Sequence, residues 1–180
     1  MSTRVDINET AVLEAFVSRL RGLTLAEGDG LTEKNCYIST TEEPNNWKDT
    51  VMVTVCPGDG IFPEAMQIGG GSNQCTEELG VVVTIWNRHT SAEAGNDESL
   101  LLDKIRGVYS IKSKILRRLV TADLEANYPE GTGGVNQFLR QLLLVVRCSK
   151  PVPMGVEGLS ANFMKMSITF KVSFDHDLTS

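Results

Sequence analysis

Residues 164–175 read Met-Lys-Met-Ser-Ile-Thr-Phe-Lys-Val-Ser-Phe-Asp, and this stretch decides the fold. Met164, Met166, Ile168, Phe170, Val172 and Phe174 alternate without a break with Lys165, Ser167, Thr169, Lys171, Ser173 and Asp175. Successive side chains of a strand point to opposite faces, so the apolar set lines one face and the polar set the other. This is the pattern of a long, half-buried strand in an antiparallel sheet with one packed and one wet face.

Working outward, residues 138–148 form a second strand candidate just upstream, with the apolar run 142–146 expected to be buried. Pro151-Val152-Pro153-Met154-Gly155 reads as a turn-forming connection between the two. Further back, Val81, Val83 and Ile85 alternate with Val82, Thr84 and Trp86; a strand apolar on nearly both faces is expected to be central. Val51, Val53 and Val55 mark another strand, expected to end at Pro57-Gly58-Asp59-Gly60, and residues 36–40 a short one. Between them, residues 57–76 read as a long hairpin excursion or projecting loop with Gly69, Gly70 and Gly71 at its tip.

Two helices complete the set. Leu13, Phe16, Val17 and Leu20 fall at helical spacing behind an Asp6/Glu9 capping pair, which predicts a helix over 7–21. Leu101, Leu102, Ile105, Val108 and Tyr109 predict a longer one over 98–120, with acids in its first turn and bases in its last, as the helix dipole favours. The expected fold is therefore α+β: one domain over residues 1–180, with a mostly antiparallel sheet of about four to five strands packed against two helices.

Composition agrees with a globular chain. With 180 residues, 41% hydrophobic and 22% charged, it differs from disordered and membrane proteins alike, and one domain of this size buries roughly 70% of its unfolded surface. No apolar run approaches the roughly 18 residues of a membrane span. Residues 1–8 carry one Arg and no apolar segment of a secretory signal, so cytoplasmic synthesis is expected, with no membrane partner. Cys36, Cys56, Cys75 and Cys148 form no CxxC pair and read as reduced thiols, Cys56 and Cys148 as small hydrophobes within strands. A net charge of −6, from 17 basic and 23 acidic residues, lacks the basic footprint of a duplex-binding protein. Beside nucleic acid, a negative surface suits a passage better than a binding site.

Catalytic and ligand constellations are weak. His89 and His176 show no spacing that pairs either with a cysteine as nucleophile and base. Asp175-His176-Asp177 reads as a solvated strand end rather than a metal site, and zinc-type ligand pairs are not evident. Gly69-Gly70-Gly71-Ser72-Asn73 lacks the Lys-Ser/Thr pair of a phosphate loop. The expectation is no enzyme, no cofactor and no metal. Lys112, Lys114, Arg117 and Arg118 form the one basic cluster, read first as a solvated helix end that satisfies the dipole and carbonyl groups. The sharper reading is an interface with acids of a neighbouring copy, for which Glu93, Asp97 and Glu98 are candidates; nucleic acid ranks third, because aromatic interleaving is missing.

Taken in order, the helix led by Leu13, Phe16 and Val17, strands at 51–56 and 79–86, the helix at 98–120 and the closing pair 138–148 and 162–175 resemble the tail-terminator and head-to-tail joining proteins of long-tailed bacteriophages. The resemblance is one of pattern and size. It implies a virion protein of the tail or neck whose copies form a ring, commonly a hexamer, that caps the tail tube and stops its polymerisation. It further implies two protein partners, the tail tube and the head connector, with DNA passing through and not specifically bound. Long loops of that family reach a neighbour or the tube, a place that 57–74 would fill. Another neck or tail-tube protein is the alternative within the class; a ligand-binding module and a cysteine-dependent enzyme are the alternatives outside it.

Overall fold

The computed structural model describes residues 9–26, 29–61, 74–88, 101–121, 143–155 and 162–177. The strand the alternation marks lies beside the central strand of the sheet. The last strand, β8 (Asn162–Asp177), lies antiparallel to β5 (Gln74–Arg88) over its whole length, from Arg88 opposite Phe163 to Gln74 opposite Asp177. Met164, Met166, Ile168, Phe170 and Val172 are all buried on the face that meets the helices.

On the far side of β5 runs β4 (Val51–Ile61), antiparallel, and beyond it the short β3 (Cys36–Ile38), parallel to β4. The other flank of β8 is lined end to end by two strands, β6 (Leu143–Cys148) against residues 168–172 and β7 (Val152–Gly155) against residues 162–165. The sheet thus has six strands, one more than the upper expectation, in the order β3-β4-β5-β8-β6 with β7 beside β6. All pairs but β3–β4 are antiparallel. A separate two-stranded ladder joins β1 (Thr24–Ala26) to β2 (Asp29–Gly30). The α+β class, with two helices beside the sheet, stands as read from the sequence.

The first helix, α1 (Glu9–Leu20), lays Val12, Leu13, Phe16, Val17 and Leu20 over β3 and β4, and Phe16 meets Phe170 edge to face at 5.4 Å. An edge-to-face pair of this kind adds about 1 kcal/mol beyond burial. The second, α2 (Val108–Leu116), packs Val108, Ile111 and Ile115 over β5 and widens into a π-helical turn at Arg117–Thr121.

Three expectations are corrected. Strand β4 does not stop at Pro57: a shift of register between Pro57 and Gly60 carries it on to Ile61, antiparallel to Glu78 and Leu79. A bulge absorbs what a proline would otherwise break, and two facing glycines allow it, since a Cβ on Gly58 would stand 3.1 Å from the Gly80 carbonyl oxygen. The excursion beyond, residues 62–73 with Gly69, Gly70 and Gly71, lies outside the described residues.

The helix predicted over 98–120 is interrupted. Leu101 and Leu102 are helical, but Asp103 turns its Oδ1 onto the backbone N–H groups of Ile105 (2.7 Å) and Arg106 (2.6 Å), and the helix restarts only after Gly107. A short acceptor side chain competes with helical bonding in this way. Gly107 is required at the restart, because a Cβ there would lie 2.5 Å from the Asp103 carbonyl oxygen.

Strand β6 is not buried. Leu144 and Val146 are each 61% exposed and Val145 is 43% exposed, and Cys148, read as a core hydrophobe, is exposed as well. Among the described residues the core beneath the two helices draws on β3, β4, β5 and β8 and on no residue of β6.

Candidate functional site

Two features of the β6 side of the sheet stand out physically, an open apolar edge and a polar groove on the face away from the helices.

An outermost strand offers unpaired N–H and C=O groups to any passing strand, and folded proteins normally guard such edges. The β3 edge is guarded here. Cys36 gives its N–H to the Thr32 carbonyl at 2.9 Å, and its carbonyl accepts the Arg21 Nε at 3.0 Å. The β7 edge is guarded by Pro151 and Pro153, which donate nothing. Among the described residues strand β6 has neither device, although its register shifts between Val145 and Arg147, and it holds three exposed aliphatic residues in succession. Apolar surface on an edge strand is what folded proteins normally cover or interrupt.

On the outer face, the wet side expected for Lys165, Ser167 and Thr169 is half covered. The chain between β3 and β4 folds across it and places Glu42 over the sheet. Glu42 Oε2 accepts from Lys165 Nζ at 2.8 Å, Ser167 Oγ at 2.9 Å and Thr84 Oγ1 at 3.4 Å. Its main-chain carbonyl accepts Thr54 Oγ1 at 2.7 Å and the Trp86 indole N–H at 2.9 Å. Burial works to raise the Glu42 pKa, but the Lys165 and Ser167 hydrogen bonds, the Lys165 charge and the Thr84 hydroxyl outweigh it and hold the carboxyl below its usual value. Trp47 closes the end of this layer, edge to face with Trp86 and with Phe163, both at 4.9 Å, above Met52.

Between this layer and β6–β7 lies a cavity of about 380 Å³, with Arg147, Ser149, Lys165 and Thr169 as polar lining and Val82, Val152 and Met154 as apolar walls. Arg147 and Thr169 face each other across the β6–β8 ladder.

The basic cluster read from the sequence is brought together and largely consumed within the subunit. Arg118 Nε donates to the Arg19 carbonyl, Lys114 Nζ to the carbonyls of Leu25 and Ile105, and Lys112 sits 5.7 Å from the centre of the Tyr109 ring. Arg117 is exposed. Carbonyl capping thus accounts for Lys114 and Arg118. The proposed acidic partners Glu93, Asp97 and Glu98 lie outside the described residues.

Sequence reasoning missed Glu42 and Arg147. Glu42 sits in an unremarkable polar turn, and its contact with Ser167 spans 125 positions that no local pattern connects. Arg147 left a signal, a cation at the end of an apolar run.

Among the described residues no group of three or more His, Cys, Asp or Glu side chains is placed to hold a metal ion, and no helix is long and apolar enough to cross a membrane. No protein-family model and no curated protein matches the chain.

Proposed function

We propose that this chain is a structural virion protein, the ring-forming subunit of a tail terminator of the long-tailed bacteriophage type. In this reading the ring, hexameric by resemblance, caps the tail tube and joins it to the head connector, and DNA passes through it without being specifically bound. The observation that carries the reading is β6, an edge strand among the described residues with Leu144, Val145 and Val146 exposed.

Covering such an edge with another copy stabilises the assembly by roughly 25 cal/mol for each Å² of apolar surface removed from water. In this reading β6 of one copy meets a different surface on the next, whereas pairing of β6 with β6 would give a two-fold dimer. A head-to-tail contact of that kind closes into a ring when its rotation permits. The net charge of −6 suits a channel along which a polyanion slides without arrest.

The test is to add the purified protein to a polymerising tail-tube protein and image the products. Tubes of limited length with a ring at one end are expected. Tubes built from this chain alone would assign it instead to the tube.

A further inference from the structure

We infer that the groove between β6–β7 and the Glu42 layer is a receptor for a carboxylate group carried on a short aliphatic stem. This inference rests on the groove's own chemistry and not on the ring.

Among the described residues the groove is lined by two cations, Arg147 and Lys165, and one anion, Glu42. Lys165, Ser167 and Thr84 all converge on Glu42 Oε2, and Lys165 is the cation paired with it, which leaves Arg147 over. The Arg147 guanidinium has no hydrogen-bond or ion-pair partner among the described residues, and the local balance is one positive charge in a chain of net charge −6. A guanidinium offers a planar fork of donors that matches a carboxylate with two parallel bonds.

Hydroxyl groups extend the fork. Ser149 Oγ accepts the Ser167 backbone N–H at 2.9 Å, which leaves its own hydrogen to donate into the cavity. Thr169 stands opposite Arg147. Behind these donors Val82, Val152 and Met154 supply an apolar wall, which a bare inorganic anion would leave unused. A volume of about 380 Å³ is at the small end of ligand sites, enough for a few carbons and a carboxylate. Both an Asp or Glu side chain of a neighbouring copy and a free short-chain acid have this chemistry.

Glutarate is the probe. The full-length protein is titrated calorimetrically with sodium glutarate, with sodium chloride at matched ionic strength as the blank, while its mass is followed in solution. Arg147→Gln is compared with Lys34→Gln, an exposed cation away from the groove. If the natural ligand is a free acid, the wild type binds saturably with unchanged mass. If it is a neighbour's carboxylate, glutarate lowers the mass of the assembly. In either case Arg147→Gln weakens the response at least tenfold and Lys34→Gln leaves it unaltered. Glutarate binding to a protein that is monomeric throughout supports the groove and counts against the ring. No saturable heat and no change of mass, or an equal response from Arg147→Gln, overturns the proposal.

Discussion

Arg19 and Arg118 cap each other: Arg19 Nε donates to the Arg118 carbonyl at 3.0 Å, and Arg118 Nε donates to the Arg19 carbonyl at 3.1 Å. The two residues lie 99 positions apart, one in the last turn of α1 and the other in the π-helical turn after α2. Carbonyls at a helix C-terminus lack intrahelical partners and sit at the negative end of the dipole, so a cation there serves both needs. Arg19 is almost wholly buried. Arg19→Met leaves the Arg118 carbonyl without this donor and is expected to cost about 1–3 kcal/mol. Urea unfolding measures it, with an unchanged slope against denaturant. Each substitution removes one of the two bonds, so the Arg19→Met, Arg118→Met double variant, which removes both, is expected to lose more than either single. A wild-type midpoint for Arg19→Met would refute the clasp.

The facing of β8 carries the core. Phe170 is fully buried against Phe16, and Phe170→Asp places an unpaired carboxylate there, at a cost of several kcal/mol. Loss of soluble, cooperatively folded protein is expected, read by circular dichroism and solubility. Thr169→Asp, on the opposite face of the same strand, is expected to fold.

Glu42 predicts a pH dependence with a definite sign. Its folded pKa lies below the ordinary value of 4.5, so the stability it adds is fully present above that value and is lost as pH falls through the lowered one. Because its side chain is 41% exposed, solvent screening keeps the contribution near or below about 1 kcal/mol. Glu42→Gln should therefore be less stable than wild type near neutrality and approach it in acid. A gap that widens towards low pH contradicts the assignment.

The thiols separate cleanly. Burial pushes Cys36 up to about 12 against the opposing charge of Arg21, and burial is also the largest influence raising Cys56. Only the thiolate is an effective nucleophile. In a Cys75→Ser background near neutral pH, a small disulfide reagent should modify exposed Cys148 at least about tenfold faster than Cys36 or Cys56. Rapid reaction at Cys36 or Cys56 would revive the cysteine-enzyme alternative. Slowing of Cys148 at high protein concentration would place it under a neighbouring copy.

What the sequence could show follows from the range of its patterns. The alternation over 164–175 settled the facing of β8, and the two apolar faces around Val83 and Trp86 settled the central place of β5, because both are period-two signals within one strand. The break at Asp103 was hidden, since Leu101 and Ile105 kept helical spacing while one side-chain oxygen captured two backbone donors. Gly107 was the local clue. The apolar run at 142–146 looked like core for a plain reason: aliphatic residues read alike whether their own fold or another surface covers them. The Glu42–Lys165 layer needed tertiary structure, because the alternating pattern marks Lys165 as polar and says nothing of the turn that crosses above it.

The most direct test of the assembly account is the mass of the purified protein by sedimentation velocity, with negative-stain images of the same sample, for wild type and Val146→Glu. Val146 is exposed, so the substitution should change stability by no more than about 0.5 kcal/mol while placing a charge on the open edge. A wild-type ring with a central hole, and a folded Val146→Glu monomer, are predicted. A wild type that remains a compact monomer at every concentration, or a Val146→Glu variant that still closes into rings, would contradict the account.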